Sequence, residues 1–101
     1  MKLPQLILLS ALAASVNAWD LTVYLTDGRR VETHGTVNSG CKTYDFNMNR
    51  AVNRAVFHGS TFADTFELYA QANCAGQVSY RQGPGEHQVI PPRIIRSYKV
   101  Y

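Results

Sequence analysis

Residues Asp20–Thr26 read DLTVYLT, so Leu21, Val23 and Leu25 alternate with Thr22, Tyr24 and Thr26 before the run stops at Asp27-Gly28. A period of two puts every second side chain on one face of a strand, and such a strand persists only where its apolar face is covered. Asp-Gly directly after it signals a hairpin turn. Similar runs recur along the chain. They span roughly Arg30–Val37, CKTYDFN from Cys41 with Tyr44 and Phe46 on one face, and Ala51–His58. Beyond these come Asp64–Gln71 with Phe66, Leu68 and Ala70 on one face, then Gln77–Gln82, Gln88–Ile90 and Ile94–Tyr101. Asn38-Ser39-Gly40, His58-Gly59-Ser60-Thr61 and Gly83-Pro84-Gly85 punctuate them as turns and connectors. Helical periodicity is nearly absent after the first 18 residues, and an all-β domain is expected.

The pattern starts over midway. Setting Tyr24 on Tyr69 places Leu21 on Phe66, Val23 on Leu68 and Leu25 on Ala70. This is the mark of a degenerate duplication, four strands to each half. Two four-stranded units, each apolar on its inner face, would cover one another as a β-sandwich. Phe46, Phe66 and Tyr69 are the aromatic residues expected in its core.

Met1-Lys2, the apolar run to Val16 and the small residues of Val16-Asn17-Ala18 form a secretory signal peptide over residues 1–18, with cleavage after Ala18. The run is too short to span a bilayer, and no second candidate follows. Residues 19–101 then suffice for one domain, extracellular and expected to be monomeric. Of ten Lys/Arg only Lys2 lies in the leader, and the remaining cations are scattered among seven Asp/Glu. No basic stripe of the kind that follows a nucleic-acid backbone is present. Two cysteines remain, Cys41 and Cys74. An exported chain meets oxidising conditions, and only one pairing is open to them; two free thiols are the alternative. Zinc would want four ligands in a spacing that is absent.

Tyr69 is followed by six residues and then Gly76, with Ser97 some twenty residues later in RIIRSYKV. This resembles the Greek-key motif of the β/γ-crystallin superfamily. The resemblance implies that the aromatic ring packs over a folded hairpin, that Gly76 takes a positive φ, and that Ser97 hydrogen-bonds into the hairpin. The stretch TFELYAQANCAGQVSYRQGPG, and a cysteine shortly before Tyr44-Asp45-Phe46, are similar to the small antimicrobial members typified by the macadamia antimicrobial protein. Those members imply a Cys41–Cys74 bond. Single-domain killer toxins of yeasts and streptomycetes share the architecture, and small secreted proteins of filamentous fungi look alike. The first half departs from the motif: Gly28 follows Tyr24 by only four residues, and Ala55 stands where the serine is wanted. Calcium-binding members carry two adjacent Asn/Asp, two further residues, then Ser/Thr-Ser. The equivalent runs here, PRIIRS (Pro92–Ser97) and RAVNRA (Arg50–Ala55), begin with no such pair, so neither calcium nor another metal nor any cofactor is expected.

His34, His58 and His87 sit singly on separate segments, and the acidic residues show no spacing that demands proximity. Ser39, Ser60, Ser79 and Ser97 lack a nucleophile-elbow context, and Gly83–Glu86 lacks the spacing of a phosphate loop. No catalytic residue is nominated. One Trp, four Phe and six Tyr are an ample aromatic supply. Tyr80, Arg81, Arg93, Arg96, Tyr98, Lys99 and Tyr101 form the candidate contact surface for a wall glycan, a membrane surface or a host protein. The expected function is non-catalytic binding, as an antimicrobial, killer-toxin-like or host-directed effector protein. The alternative is a passive, wall-associated protein without toxic action.

Overall fold

Eight strands form in the computed structural model, which describes residues 18–101. The predicted signal peptide lies outside the described residues apart from Ala18. The strands are β1 (Trp19–Leu25), β2 (Arg30–Gly35), β3 (Gly40–Thr43), β4 (Val52–His58), β5 (Phe66–Tyr69), β6 (Tyr80–Gln82), β7 (Gly85–Arg93) and β8 (Ser97–Val100). A single 3-10 turn, Ala72–Cys74, interrupts the connection from β5 to β6. The all-β expectation and four strands per half both hold.

Among the described residues the strands make two four-stranded antiparallel sheets, ordered β2-β1-β4-β7 and β3-β8-β5-β6. Neither half of the chain builds a sheet by itself, contrary to expectation. Each half sends its third strand, β3 or β7, to the edge of the other sheet. β3 has all four residues exposed and no apolar face of its own, so pairing with β8 and a covalent tie place it rather than burial. Adding four to each number of the first sheet, counting round from eight to one, gives β6-β5-β8-β3, the second sheet read backwards. The duplication is therefore present in strand order as well as in the alternation of β1 and β5.

Leu21, Val23, Leu25, Phe57 and Val89 from the first sheet meet Phe66, Leu68 and Val100 from the second in one fully buried cluster. The rings of Phe57 and Phe66 cross the interlayer at 5.2 Å between centroids. Removing each such side chain from water contributes about 1.5–3 kcal/mol, which is what holds the layers together. Trp19 closes one end. Its indole lies edge-on to Tyr98 at 6.4 Å and donates Nε1–H to the Val37 carbonyl at 2.8 Å. Gly35 stands opposite Trp19, where a Cβ would come within 2.7 Å of Cζ2; only glycine admits the indole there.

Several residues fall elsewhere than expected. β3 stops at Thr43, so strand alternation no longer governs the residues after it: Tyr44 packs on Tyr98 at 5.0 Å, while Phe46 is 51% exposed instead of lying in the core. β5 ends at Tyr69, leaving Ala70 exposed rather than in line with Phe66 and Leu68. Tyr69 is buried, but it shares the outer face with Glu67 and lies outside the interlayer cluster. Tyr98 is 8% exposed and belongs to that cluster, because opposite Leu68 it must face inward; it is not a contact-surface residue. The strand expected over Gln88–Ile90 runs from Gly85 to Arg93, with Pro91 and Pro92 tolerated because β7 is an edge strand. The last strand is shorter than expected, and Ile95 is buried in the loop before it.

Candidate functional site

The connection between β5 and β6 is fastened to the second sheet at three points. Cys74, at the end of the 3-10 turn, is bonded to Cys41 of β3 with 6.0 Å between Cα atoms. Ser97, fully buried at the start of β8, accepts the Cys74 N–H at 2.9 Å and donates its hydroxyl to the Gln71 carbonyl at 2.5 Å. Thr43 accepts the Asn73 N–H at 2.9 Å. The turn thus satisfies backbone groups that a loop of this length would otherwise leave to water. Gly76 has φ +77°, and the nearest neighbour to a Cβ there is the flexible Gln71 side chain at 3.4 Å. Conformation, not space, excludes a side chain. Gly76→Val is expected to cost about 1–2 kcal/mol, read as a lower urea midpoint with an unchanged slope.

Tyr69 stands directly opposite Ser97, and its counterpart Tyr24 stands opposite Arg54. Strand pairing therefore moves the first half's equivalent of the serine from Ala55 to Arg54. Its guanidinium lies over the Tyr24 ring at 4.6 Å and pairs with Glu86 at 2.9 Å. A stacked cation on a short Asp27-Gly28 hairpin, closed by Leu25 N–H to the Arg29 carbonyl at 2.8 Å, replaces the hydroxyl-tied turn.

On the outer face of the second sheet the register sets Cys41, Lys99, Glu67 and Arg81 in one row across β3, β8, β5 and β6. Glu67 is only 4% exposed. Its Oε1 accepts the Tyr69 hydroxyl at 2.5 Å, and its Oε2 accepts the Tyr101 hydroxyl at 2.5 Å and Arg81 Nε–H at 2.8 Å. Burial pushes the carboxyl up, but the hydrogen bonds from Tyr101, Tyr69 and Arg81, with the Arg81 charge, outweigh it and hold Glu67 below the usual carboxylate range. The proton that Tyr69 commits to Glu67, helped by burial, pushes that phenol up to about 12, and Tyr101 is raised for the same first reason. A carboxylate made more acidic, with both oxygens engaged, is poorly placed for general acid–base work near neutral pH. What the cluster does is fix Arg81 and Tyr101 on this face, with Lys99 beside them opposite Glu67. Asn38, Gly40, Glu67, Lys99, Val100 and Tyr101 line a depression of about 330 Å³ there.

The residues expected to form one contact surface divide. Arg81, Lys99 and Tyr101 share the face just described. Tyr80 and Arg93 lie elsewhere: Tyr80 packs against the core, and Arg93 stacks over its ring at 5.6 Å while donating to the Ser79 carbonyl. Arg96 is exposed in the loop before β8, its backbone tied to Tyr69 and Tyr44. Glu67 escaped the sequence reading, although a carboxylate between Phe66 and Leu68 with a tyrosine two residues on was the available signal. A second cavity, about 310 Å³, opens between the edge strands β2 and β3 and is lined by Glu32, Lys42, Tyr44, Asp45 and Phe46 among others. Burial raises the Tyr44 hydroxyl well above the ordinary tyrosine value, and that hydroxyl has no hydrogen-bond partner. The histidines are not all isolated: His34 and His58 both stand opposite Asp20, while His87 holds the Gly83 carbonyl at 2.9 Å.

Set against protein-family models, curated proteins and solved structures, the chain matches none of them. No helix among the described residues is long and apolar enough to cross a membrane.

Proposed function

We propose that the chain is a secreted, non-catalytic binding protein with a β/γ-crystallin-like Greek-key architecture, acting as an antimicrobial, killer-toxin-like or host-directed effector protein. The architectural part draws support from the exchanged third strands, the Ser97 hydroxyl bound into the β5–β6 turn and the positive φ of Gly76. The observation that carries the functional part is the Lys99–Glu67–Arg81 row. Its carboxylate is paired with Arg81 and bonded by Tyr101, so the face offers the unpaired Lys99 ammonium and the Tyr101 ring to a partner. Lys99 enters none of the four ion pairs among the described residues and lines the depression beside Tyr101.

The test applies purified protein to competing fungi, bacteria and leaf tissue. Inhibition or a tissue response is expected, weakened about tenfold by Lys99→Glu at a protein concentration and temperature where the variant is still folded, because reversing one charge at a contact costs roughly 1.4 kcal/mol or more, while the new carboxylate opposite Glu67 lowers stability somewhat. Inertness towards all three targets would shift the reading to a passive wall protein. Equal potency of Lys99→Glu would remove this face from the contact.

A further inference from the structure

We infer that the open side of the sandwich, between edge strands β2 and β3, holds a binding site for an uncharged glycan, with the exposed Phe46 ring as the surface on which a pyranose stacks. The site lies away from the Lys99 face and stands or falls apart from it. Strand parity builds it. Val31 and Thr33 of β2 pair with the inward-facing Val23 and Leu21, and Lys42 of β3 pairs with the inward-facing Tyr98. All three therefore turn towards the interlayer, but on edge strands, where no further strand covers them. The cavity of about 310 Å³ between these edges lies at the lower end of the range for small-molecule sites, roughly 300–1,000 Å³.

The aromatic wall of the cavity is fixed before any ligand arrives. Tyr44 packs on Tyr98 and donates its N–H to the Arg96 carbonyl at 3.0 Å, which sets the course of the chain two residues ahead of Phe46. Phe46 then lines the cavity with half its surface open to water. The Tyr44 hydroxyl is buried and unpartnered, so this wall has hydrogen-bonding capacity that the chain itself leaves unused. Polar groups complete the lining. Lys42 and Asp45 enter none of the four ion pairs among the described residues, and the Thr33 hydroxyl, which donates to the Leu21 carbonyl at 3.1 Å, still has lone pairs to offer. As edges, β2 and β3 add main-chain N–H and C=O groups without strand partners. Charge then selects the ligand. An anion meets the carboxylates of Asp45 and Glu32, the latter paired with Arg30 at 2.8 Å, and a cation meets the Lys42 ammonium. A wholly apolar guest strips water from all of these without replacing its hydrogen bonds. A neutral pyranose has hydroxyls for donors and acceptors alike, and a C–H face for an aromatic ring.

Two uncharged hexasaccharides, one of β-1,3-linked glucose and one of β-1,4-linked N-acetylglucosamine, titrated into the purified protein by calorimetry and by amide NMR, test this. At least one should bind, one sugar per chain, and shift the amide signals of residues 31–33 and 42–46; which of them binds identifies the source. Phe46→Ala should weaken binding roughly tenfold. Phe62→Ala, which removes a ring 75% exposed in the connection from β4 to β5, should leave it unchanged. Both rings are exposed, so both variants should fold. Failure of both hexasaccharides to bind overturns the proposal, and so does wild-type affinity in Phe46→Ala. Equal or tighter binding of galacturonate or glucosamine hexamers overturns it too, since charge would then not select the ligand. Sugar binding by a protein inert towards fungi, bacteria and leaf tissue would keep this site and remove only the toxic reading.

Discussion

Replacing either Cys41 or Cys74 by serine is expected to lower stability by about 3–4 kcal/mol, the chain-entropy value for a closed loop of this size. The bond spans 33 residues of sequence. For a domain this small, a loss of that order moves the melting temperature down by roughly 12 °C or more. Because both cysteines serve one bond, the double variant should be no worse than either single variant. Fully additive losses would mean that each sulfur stabilises by separate packing, and the account of the bond would fail. Position sharpens the expectation. The bond joins edge strand β3, which has no buried residue, to a turn held otherwise by Ser97 and Thr43. Losing it should therefore loosen β3 and the β5–β6 turn before the core. Limited proteolysis of the Cys41→Ser protein should cut first around residues 36–47 and 70–79.

The sequence made the strands legible wherever alternation faced a covered layer. Leu21, Val23, Phe66 and Leu68 alternate because one side of β1 and β5 meets the other sheet. It left the exchange of β3 and β7 unreadable, since β3 (GCKT) has no apolar period to show which sheet it joins. Tyr98 looked like a surface residue because it sits among Arg96, Lys99 and Tyr101, yet strand parity turns it inward between two outward neighbours, Ser97 and Lys99. Register hid the remaining groupings. Glu67 meets Arg81 and Tyr101 across 14 and 34 residues of chain, and Asp20 meets His34 and His58 only through two separate strand pairings. None of these spacings is local, so no motif could carry them.

Removing the Glu67 carboxylate should have an effect of similar size with a different signature. Glu67→Ala leaves the buried Tyr69 hydroxyl without its acceptor and empties space between Tyr69, Arg81 and Tyr101, an expected loss of about 2–4 kcal/mol. Glu67→Gln keeps the shape and removes the charge, so it isolates the electrostatic part through pH. The Glu67 carboxyl is held below its ordinary value, so its contribution is present above about pH 4.3 and is lost as pH falls through the folded value. Tyr69 and Tyr101 are raised, so their contribution is present below about pH 10 and is lost as pH climbs, towards about 12 for Tyr69. Wild-type stability relative to Glu67→Gln should thus form a plateau across neutral pH that falls away on both sides. Tyrosine ionisation, followed by ultraviolet difference spectra, should begin at lower pH in the variant. A difference flat from acid to alkali would mean that the hydroxyls and Arg81 do not act through the carboxylate. Arg81 and Tyr101 would then rest on a face with no central anchor, and their placement there would have to come from strand pairing alone.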